Sequence, residues 1–272
     1  MDLLHLSQTA IKAALAAGKI IRKSMHDEVA VEKKQSGTSL ASQVLTAVDR
    51  ECEAAILTHI LPLCETDDLA LLSEETEDDR SRFEKDFFWC IDPMDGTLAF
   101  INQYPGFSVS IALVAQDGSP WIGVVYDPST DTLYHAVKGY GAWKNGRPLE
   151  VNRKNNHVTY VTDRKLKDTP GADEIERLLR EKAAQLNMNE IKELDGAGAV
   201  LNAIRVLEHG PACMLKFPKK EKGGGSIWDF AATACLYQEL GLPATNYSGG
   251  KLDLNRKDST FMNHEGILYV NW

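Results

Sequence analysis

The 272-residue chain lacks the cysteine pairs and the long apolar runs that mark several common protein classes. Its five cysteines form no Cys-x-x-Cys pair and mostly lie among apolar neighbours, which indicates a reducing compartment such as the cytoplasm. No stretch approaches about 18 continuous apolar residues. The N-terminus lacks a basic segment followed by an apolar one. We therefore expect neither membrane insertion nor secretion.

Familiar catalytic motifs are also missing. The seven histidines show no metal-ligand spacing such as His-x-x-x-His, so we assign none of them a role. There is no Gly-x-Ser-x-Gly elbow, which disfavours a serine hydrolase. The chain contains neither a Walker loop nor a Gly-x-Gly-x-x-Gly fingerprint, so neither of these nucleotide-binding motifs is present.

The chain has fewer basic than acidic residues, which gives it a formal net charge of -9. This balance argues against a general nucleic-acid or anionic-membrane binder, since a polyanion would be repelled outside any local basic patch. A phosphate substrate must then be held by local features or by metals. The length and the 43% hydrophobic content allow a substantial core, in one large domain or two tightly joined halves.

The most informative segment is the run Trp-Cys-Ile-Asp-Pro-Met-Asp-Gly-Thr that ends at Thr97. An apolar strand here leads into a tight turn that carries oxygen ligands of the kind hard cations prefer: the Asp92 and Asp95 carboxylates and the Met94 carbonyl. The Gly96 and Thr97 amides lie where a helix could start, and they would hold phosphate oxygens there. The turn predicts Mg2+ and phosphate binding.

Three further acidic sites fit the same chemistry. Glu74 and Glu75 follow an apolar run, Asp229 begins an apolar helix, and Asp49 ends another apolar segment. Each alone is explained by a simpler structural role: a solvated surface for the glutamates, a helix cap for Asp229 and a helix-face charge for Asp49. The turn at Asp95 is likewise a common turn sequence when taken alone. Because all four acidic sites occur together in this order along the chain, coincidence is a poor explanation for them.

In this order the chain resembles the metal-dependent, lithium-sensitive phosphatases of the inositol monophosphatase superfamily. Their pattern is Asp, then Glu-Glu, then Asp-Pro-x-Asp-Gly-Thr, then Trp-Asp, and the match spans nearly the whole chain. The resemblance implies an α/β (α+β) fold, an alternating α-β-α-β-α sandwich, with a metal site where the halves meet. It also implies a Mg2+-dependent phosphomonoesterase that is inhibited by lithium and is commonly a homodimer. The alternative from a different functional class is a catalytically inactive relative that acts as a binding module.

The resemblance further implies two Mg2+ ions, possibly three, that are held by five positions of this chain. The first ion would be bound by Glu74, Asp92 and the Met94 carbonyl. The second would be bound by Asp92, Asp95 and Asp229. Two ions held in this way supply charge neutralisation, a positioned water and a stabilised leaving alkoxide.

The catalytic residues that the resemblance implies are Asp49, Glu74 and Thr97. Asp49 can accept the hydroxyl proton of Thr97 and so orient Thr97 toward the attacking water. Together with Glu74 they would position that water for in-line attack without a covalent enzyme intermediate. Glu75 would either support the metal ligands or bind a weaker third ion near residues 33–39.

The choice of phosphate ester depends on the segment before Asp229. Residues 216–222, Lys-Phe-Pro-Lys-Lys-Glu-Lys, precede three glycines and form a local positive patch that would attract a second phosphate. The patch and residues 252–257 resemble the 3'(2'),5'-bisphosphate nucleotidases, which remove the 3'-phosphate of phosphoadenosine phosphate. The predicted substrate contacts are Gly96, Thr97, Lys216, Lys219, Lys220 and Asp229.

Other substrates stay open at this point. The lysines also fit a solvated loop, and Asn202 is more typical of the inositol enzymes, so an inositol monophosphatase is the second reading. Ser73 precedes Glu74 where the family usually has glycine. Fructose-1,6-bisphosphatase and histidinol phosphatase are more distant alternatives. In every case the expected partner is a small phosphorylated metabolite, neither a nucleic-acid polymer nor a membrane.

Hydrophobic periodicity predicts the secondary structure. It indicates a helix over residues 3–24, a loop over 32–39 and a second helix from residue 46 to about 60, stopped by Pro62. Closely spaced strands then indicate an antiparallel sheet, with a hairpin at Asn145 and Gly146. These strands are predicted at 87–91, 107–115, 121–126, 132–137 and 141–143.

Beyond residue 158 the pattern alternates between strand and helix. Strands are predicted at 158–162, 191–194 and 212–216, and helices at 173–186, 199–208 and 227–240. We therefore expect two halves, residues 1–150 with the antiparallel sheet and the main metal motif, and residues 151–272 completing the site. Their boundary is predicted between residues 148 and 158, within one compact unit.

Overall fold

The structure is a computed structural model that describes residues 1–25, 31–33 and 44–272. The loop predicted over 32–39 therefore lies mostly outside the described residues, and its first two residues fall at the end of a short strand. The helices are α1 (Leu3–Ser24), α2 (Ala47–Thr66), α3 (Thr97–Ile101), α4 (Ala172–Gln185), α5 (Ala199–Glu208) and α6 (Ile227–Glu239). Single 3-10 turns occupy Ser81–Phe83 and Leu166–Asp168.

A seven-stranded sheet fills most of the first half of the chain. Its strands are β3 (Ala70–Ser73), β4 (Phe87–Asp95), β5 (Ser108–Ala115), β6 (Pro120–Asp127), β7 (Thr132–Val137), β8 (Gly141–Lys144) and β9 (Arg147–Pro148), and they lie side by side in chain order. Strand β3 runs parallel to β4, whereas each later neighbouring pair is antiparallel. The antiparallel sheet and the hairpin at Asn145 and Gly146 match the prediction.

A second sheet of five strands lies in the other half, and a two-stranded ribbon joins β1 (Val31–Lys33) to β2 (Val44–Thr46). The larger of these sheets contains β10 (Val158–Val161), β11 (Ile191–Leu194), β12 (Ala212–Lys216), β13 (Ala244–Thr245) and β14 (Ile267–Asn271), in the order β11-β10-β12-β14-β13. Strands β10, β11 and β12 are parallel, so their carboxyl ends share one edge of the sheet. The predicted boundary at 148–158 falls between the two sheets.

The elements stack in five layers, because each sheet is apolar on both faces. Helices α1 and α2 pack on one face of the seven-stranded sheet, and α6 packs on the other. Helices α5 and α6 pack against each other in the middle layer between the two sheets, and the far face of the five-stranded sheet is covered by α4. The α-β-α-β-α sandwich is therefore confirmed. None of the helices in the described part of the chain combines the length and the apolar content needed to cross a membrane.

Helix α2 differs from its prediction at its C-terminal end. It continues through Pro62 to Thr66, although proline inside a helix removes one backbone hydrogen bond. Leu63, which is buried in the core shared with α1, lies beyond the proline, so tertiary packing outweighs the local cost. Six strands in the described part of the chain, β1, β2, β3, β9, β13 and β14, are not among the predicted strands.

The position of α6 is set by a close approach to the sheet. Gly123 on β6 lies under the helix, and a Cβ atom at this position would be 2.2 Å from the carbonyl oxygen of Ala232. Glycine thus lets α6 sit directly against the strand. This contact matters for the site because α6 carries Asp229 in its first turn.

Candidate metal centre

A β-bulge brings Asp92 and Asp95 to the same side of the sheet. Residues three apart on a regular strand point to opposite faces. Here Asp92 pairs with Ser110 and Asp95 pairs with Ser108, so β4 contains one residue more than β5 between these pairs. Met94 consequently packs in the α1–α2 core, on the face away from the two carboxylates.

Asp229 arrives from the start of α6. Ser226 is the N-cap residue of that helix, and the backbone amide of Ser226 donates to Asp229 Oδ2 at 2.7 Å. The Ser110 hydroxyl donates to the Trp228 carbonyl at 3.1 Å, which ties this helix end to the β5 residue paired with Asp92. The capping interaction therefore also positions the carboxylate that the sequence predicts as a metal ligand.

Asp92, Asp95 and Asp229 converge, with ligand oxygens that all lie within 4.8 Å of one another. Asp92 and Asp95 are buried, and Asp229 is half-buried. The cluster opens into a cavity of about 530 Å3. That cavity is lined by nine of the predicted site residues: Glu74, Asp92, Met94, Asp95, Gly96, Thr97, Lys216, Lys219 and Asp229.

Burial and mutual repulsion make this cluster a strong candidate for a cation site. Desolvation, followed by the charge of Glu74, raises the pKa of Asp92 well above its usual range and the pKa of Asp229 to about 6. Desolvation, followed by the charge of Asp229, raises the pKa of Asp95. Among the described residues, no Lys, Arg or His forms an ion pair with these three aspartates. A set of oxygen donors without a basic partner fits a hard divalent cation such as Mg2+.

Asp95 also caps a helix. Its carboxylate oxygens accept hydrogen bonds from the backbone amides of Ala199 at 3.1 Å and Val200 at 2.9 Å, in the first turn of α5. A Cβ atom on Gly198 would lie 2.2 Å from Asp95 Oδ2, so only glycine leaves room for this contact. The N-terminal end of α5 partly compensates the carboxylate charge, and these hydrogen bonds oppose the rise in the Asp95 pKa.

The predicted Asp49 and Thr97 pair is within hydrogen-bonding distance. Thr97 Oγ1 lies 3.3 Å from Asp49 Oδ1 and 3.1 Å from the Met94 carbonyl oxygen. Asp49 is buried and is held by Thr46, whose amide and hydroxyl donate to Asp49 Oδ2 at 2.7 and 2.5 Å. Asp49 thus occupies the same place in the α2 capping box as Asp229 does in that of α6.

The three predicted lysines lie in different surroundings. Lys216 ends β12 and its ammonium group lies 3.3 Å from Asp163 Oδ2 and 3.3 Å from the Gly224 carbonyl oxygen. Lys219 lines the same cavity as the aspartates. Lys220 lines an adjacent groove. The structure therefore brings Lys216 and Lys219, but not Lys220, to the cavity that contains the acidic cluster.

Asp163 and Arg164 line the cavity but were not predicted from the sequence. Asp163 forms an ion pair with Lys216, whose charge lowers the pKa of the Asp163 carboxyl. Asp163 lies just beyond β10, and Lys216 ends the parallel strand β12. Side chains at the carboxyl ends of neighbouring parallel strands converge, so this strand order was the signal that could have identified Asp163.

Comparison with known proteins supports the family resemblance and the fold. The family model described as the inositol monophosphatase family matches residues 2–270. Inositol monophosphatase 3 of Solanum lycopersicum is 29% identical over 91% of this chain and 88% of its own length.

Two solved structures are similar over almost the whole chain. An inositol monophosphatase from Anabaena (Nostoc) aligns with a TM-score of 0.69 and 25% identity, covering 99% of this chain and 91% of its own. The enzyme SaIMPase-II, solved with 2'-AMP bound, aligns with a TM-score of 0.70 and 25% identity, covering 98% and 90%.

The fold and the acidic cluster define a metal-dependent phosphatase, a phosphoric monoester hydrolase. The family match extends over nearly all of the sequence. The chain belongs to the inositol monophosphatase family.

The raised pKa values predict a pH-dependent metal affinity. A proton held by the cluster must leave when Mg2+ binds. At pH values below the pKa, the Mg2+ affinity therefore falls by about tenfold for each pH unit and for each proton that is released. Since the pKa of Asp229 is about 6, the Mg2+-induced rise in Tm should be larger at about pH 7.5 than at about pH 5.5. Scanning calorimetry with Mg2+ and with EDTA measures the difference. An equal rise at both pH values, or a rise retained in Asp92→Asn, would contradict this assignment.

The double role of Asp95 predicts a difference between two otherwise similar variants. Asp92→Asn and Asp95→Asn should both abolish Mg2+ binding. Only Asp95→Asn also weakens the α5 cap, because asparagine has one side-chain oxygen for the two amides of α5. In EDTA we expect Asp95→Asn to be less stable than Asp92→Asn by about 1 kcal/mol. Urea unfolding measures this, and equal stabilities would show that the α5 contact contributes nothing.

Proposed function

We propose that this protein is a 3'(2'),5'-bisphosphate nucleotidase that releases the 3'-phosphate of 3'-phosphoadenosine 5'-phosphate by attack of water. The observation that carries the proposal is the presence of Lys219 in the same cavity as Asp92, Asp95 and Asp229. A bisphosphate presents one phosphate to the acidic cluster with its bound cations and a second to a cationic side chain. On an acidic chain, such a local positive group would attract the second phosphate of a small bisphosphate metabolite.

The ligand set supports binding of two Mg2+ ions, as the resemblance implies, which would supply charge neutralisation at the phosphate and at the leaving oxygen. Asp92 would be a ligand of both ions, with Glu74 and the Met94 carbonyl completing the first set of ligands and Asp95 and Asp229 completing the second. A third ion near Glu75 would involve residues 33–39, most of which lie outside the described residues.

The other site residues act on the water and on the phosphate. Thr97 is fixed by Asp49 and the Met94 carbonyl, so its hydroxyl oxygen can hold a water in one orientation. Glu74 lines the same cavity and is the proposed proton acceptor for that water. Gly96 is the N-cap of α3 and Thr97 is its first residue, so their amides lie at the start of this helix and would donate to phosphate oxygens.

Lys219 is a better candidate than Lys216 for the second phosphate. The Lys216 ammonium group is already opposed by the carboxylate of Asp163. Lys219 forms no ion pair with any residue that the structure describes, and its backbone is anchored by two hydrogen bonds with Asn263, both at 2.8 Å. A fixed backbone and an unneutralised ammonium group suit the recognition of a phosphate.

A nucleotide substrate is compatible with this fold family. SaIMPase-II, a structural neighbour at 25% identity, has been solved with 2'-AMP bound. The competing candidate is inositol monophosphate, which is favoured by the names of relatives such as the tomato enzyme. We further propose a cytoplasmic, homodimeric enzyme that acts on small metabolites rather than on a nucleic-acid polymer or a membrane.

The substrate proposal predicts faster phosphate release from 3'-phosphoadenosine 5'-phosphate than from inositol 1-phosphate. Both esters should be assayed in parallel with Mg2+ and with EDTA, and release should require Mg2+. Preference for the inositol ester would replace the nucleotidase proposal with the inositol monophosphatase one. No metal-dependent release from either ester would contradict both.

Lys219 and Lys220 provide a matched pair of variants. Lys219→Met should raise KM for the bisphosphate by about tenfold and leave KM for 3'-AMP nearly unchanged, because only the bisphosphate has a second phosphate near Lys219. Lys220→Met should have a smaller effect, since Lys220 lies in the adjacent groove. Equal effects of Lys219→Met on both substrates would show that this lysine does not bind the second phosphate.

A further inference from the structure

A single carboxylate oxygen holds both ends of the Glu74–Glu75 dipeptide. Ser73 immediately precedes the two glutamates and Thr76 immediately follows them. The Ser73 hydroxyl donates to Glu53 Oε1 at 2.5 Å, and the Thr76 hydroxyl donates to the same atom at 3.0 Å. The dipeptide is therefore bracketed by two hydrogen bonds that meet at one point of α2.

The Glu53 contact lies in a largely buried place. Glu53 is 9% exposed and Ser73 is 2% exposed. Hydrogen bonds to a charged acceptor away from water are stronger than bonds between neutral groups. A buried carboxylate also needs its partners, because an unsatisfied charge there costs more than an unsatisfied neutral group. The Ser73–Glu53 hydrogen bond is thus a fixed, buried contact, whereas Thr76 donates to Glu53 from an exposed position.

Glu53 also links this dipeptide to the Asp49 and Thr97 pair. Glu53 follows Asp49 by four residues on α2, so both side chains lie on the same face of the helix. Asp49 contacts Thr97, and Glu53 holds the segment that carries Glu74. The backbone amide of Glu74 donates to the Ile91 carbonyl oxygen at 3.1 Å, one residue before Asp92. One rigid helix face therefore sets two separate parts of the site relative to each other.

We propose that Glu53 is a positioning residue that orients Glu74 and Glu75 for Mg2+ binding through Ser73 and Thr76. This inference rests on the metal-binding part of the proposed function and not on the identity of the substrate. Glu53 acts through the two hydroxyl groups. Groups that orient metal ligands in this way commonly change affinity by about tenfold or more when they are removed.

The experiment measures Mg2+ binding by isothermal titration calorimetry without substrate, so its readout does not depend on turnover. Glu53→Ala should weaken Mg2+ binding by about tenfold. Glu53→Gln should bind nearly as the wild type does, because its amide oxygen can accept from both Ser73 and Thr76. Glu51→Ala is the matched control, since Glu51 is an exposed glutamate one half-turn away on the same helix, and it should bind Mg2+ normally.

Thr76→Val keeps the test decisive if Glu53→Ala fails to fold. Thr76 is exposed and valine has nearly the same shape, so the fold should persist while one of the two hydrogen bonds is lost. We expect Mg2+ binding to weaken by about threefold, less than for Glu53→Ala. Folding is checked by Tm in EDTA, which a purely structural role would lower without changing the Mg2+ affinity of the folded protein.

The outcomes separate this inference from the substrate proposal. Wild-type Mg2+ affinity in folded Glu53→Ala, or in Thr76→Val where the alanine variant does not fold, would overturn the role of Glu53. Loss of affinity in Glu53→Gln equal to that in Glu53→Ala would show that the charge acts directly, and would also overturn it. Failure of the nucleotidase proposal appears instead as a preference for inositol 1-phosphate in the phosphate-release assay, with Mg2+ binding intact.

Discussion

The repulsion between buried carboxylates at one point is the constraint on which the rest of this structure depends. Asp92, Asp95 and Asp229 each offer a ligand oxygen, and these oxygens all lie within 4.8 Å of one another; burial raises the pKa of each carboxyl. Such a cluster is costly for a protein unless cations or protons neutralise it. The surrounding elements hold these groups together against their repulsion, and that arrangement makes the fold ready for divalent cations.

Helix N-termini provide much of this support. Asp49 and Asp229 are the third residues of α2 and α6 and complete capping boxes with Thr46 and Ser226, while Asp95 accepts amides from α5. The positive end of a helix dipole favours a nearby carboxylate. The same interactions therefore cap the N-termini of three helices and position three functional side chains. Stability and function are coupled at this point, so substitutions of these aspartates affect both.

The layered fold was implied by the family resemblance, whereas most element positions were predicted from the residues themselves, because amphipathic periodicity and turn residues are local signals. The sequence also indicated Asp92, Asp95 and Asp229, since the motifs retain their order along the chain. Long-range features could not be predicted in the same way. The bulge in β4 depends on pairing with β5, the extension of α2 beyond Pro62 depends on the core, and the Asp163–Lys216 ion pair depends on strand order in the second sheet.

The most direct test of the metal site is a crystal structure of the protein with Mn2+, using anomalous scattering to locate the ions. We expect one anomalous peak coordinated by Asp92, Asp95 and Asp229, and a second coordinated by Asp92, Glu74 and the Met94 carbonyl. Well-ordered crystals that show no peak at Asp92, or that bind Mn2+ only elsewhere, would contradict this expectation.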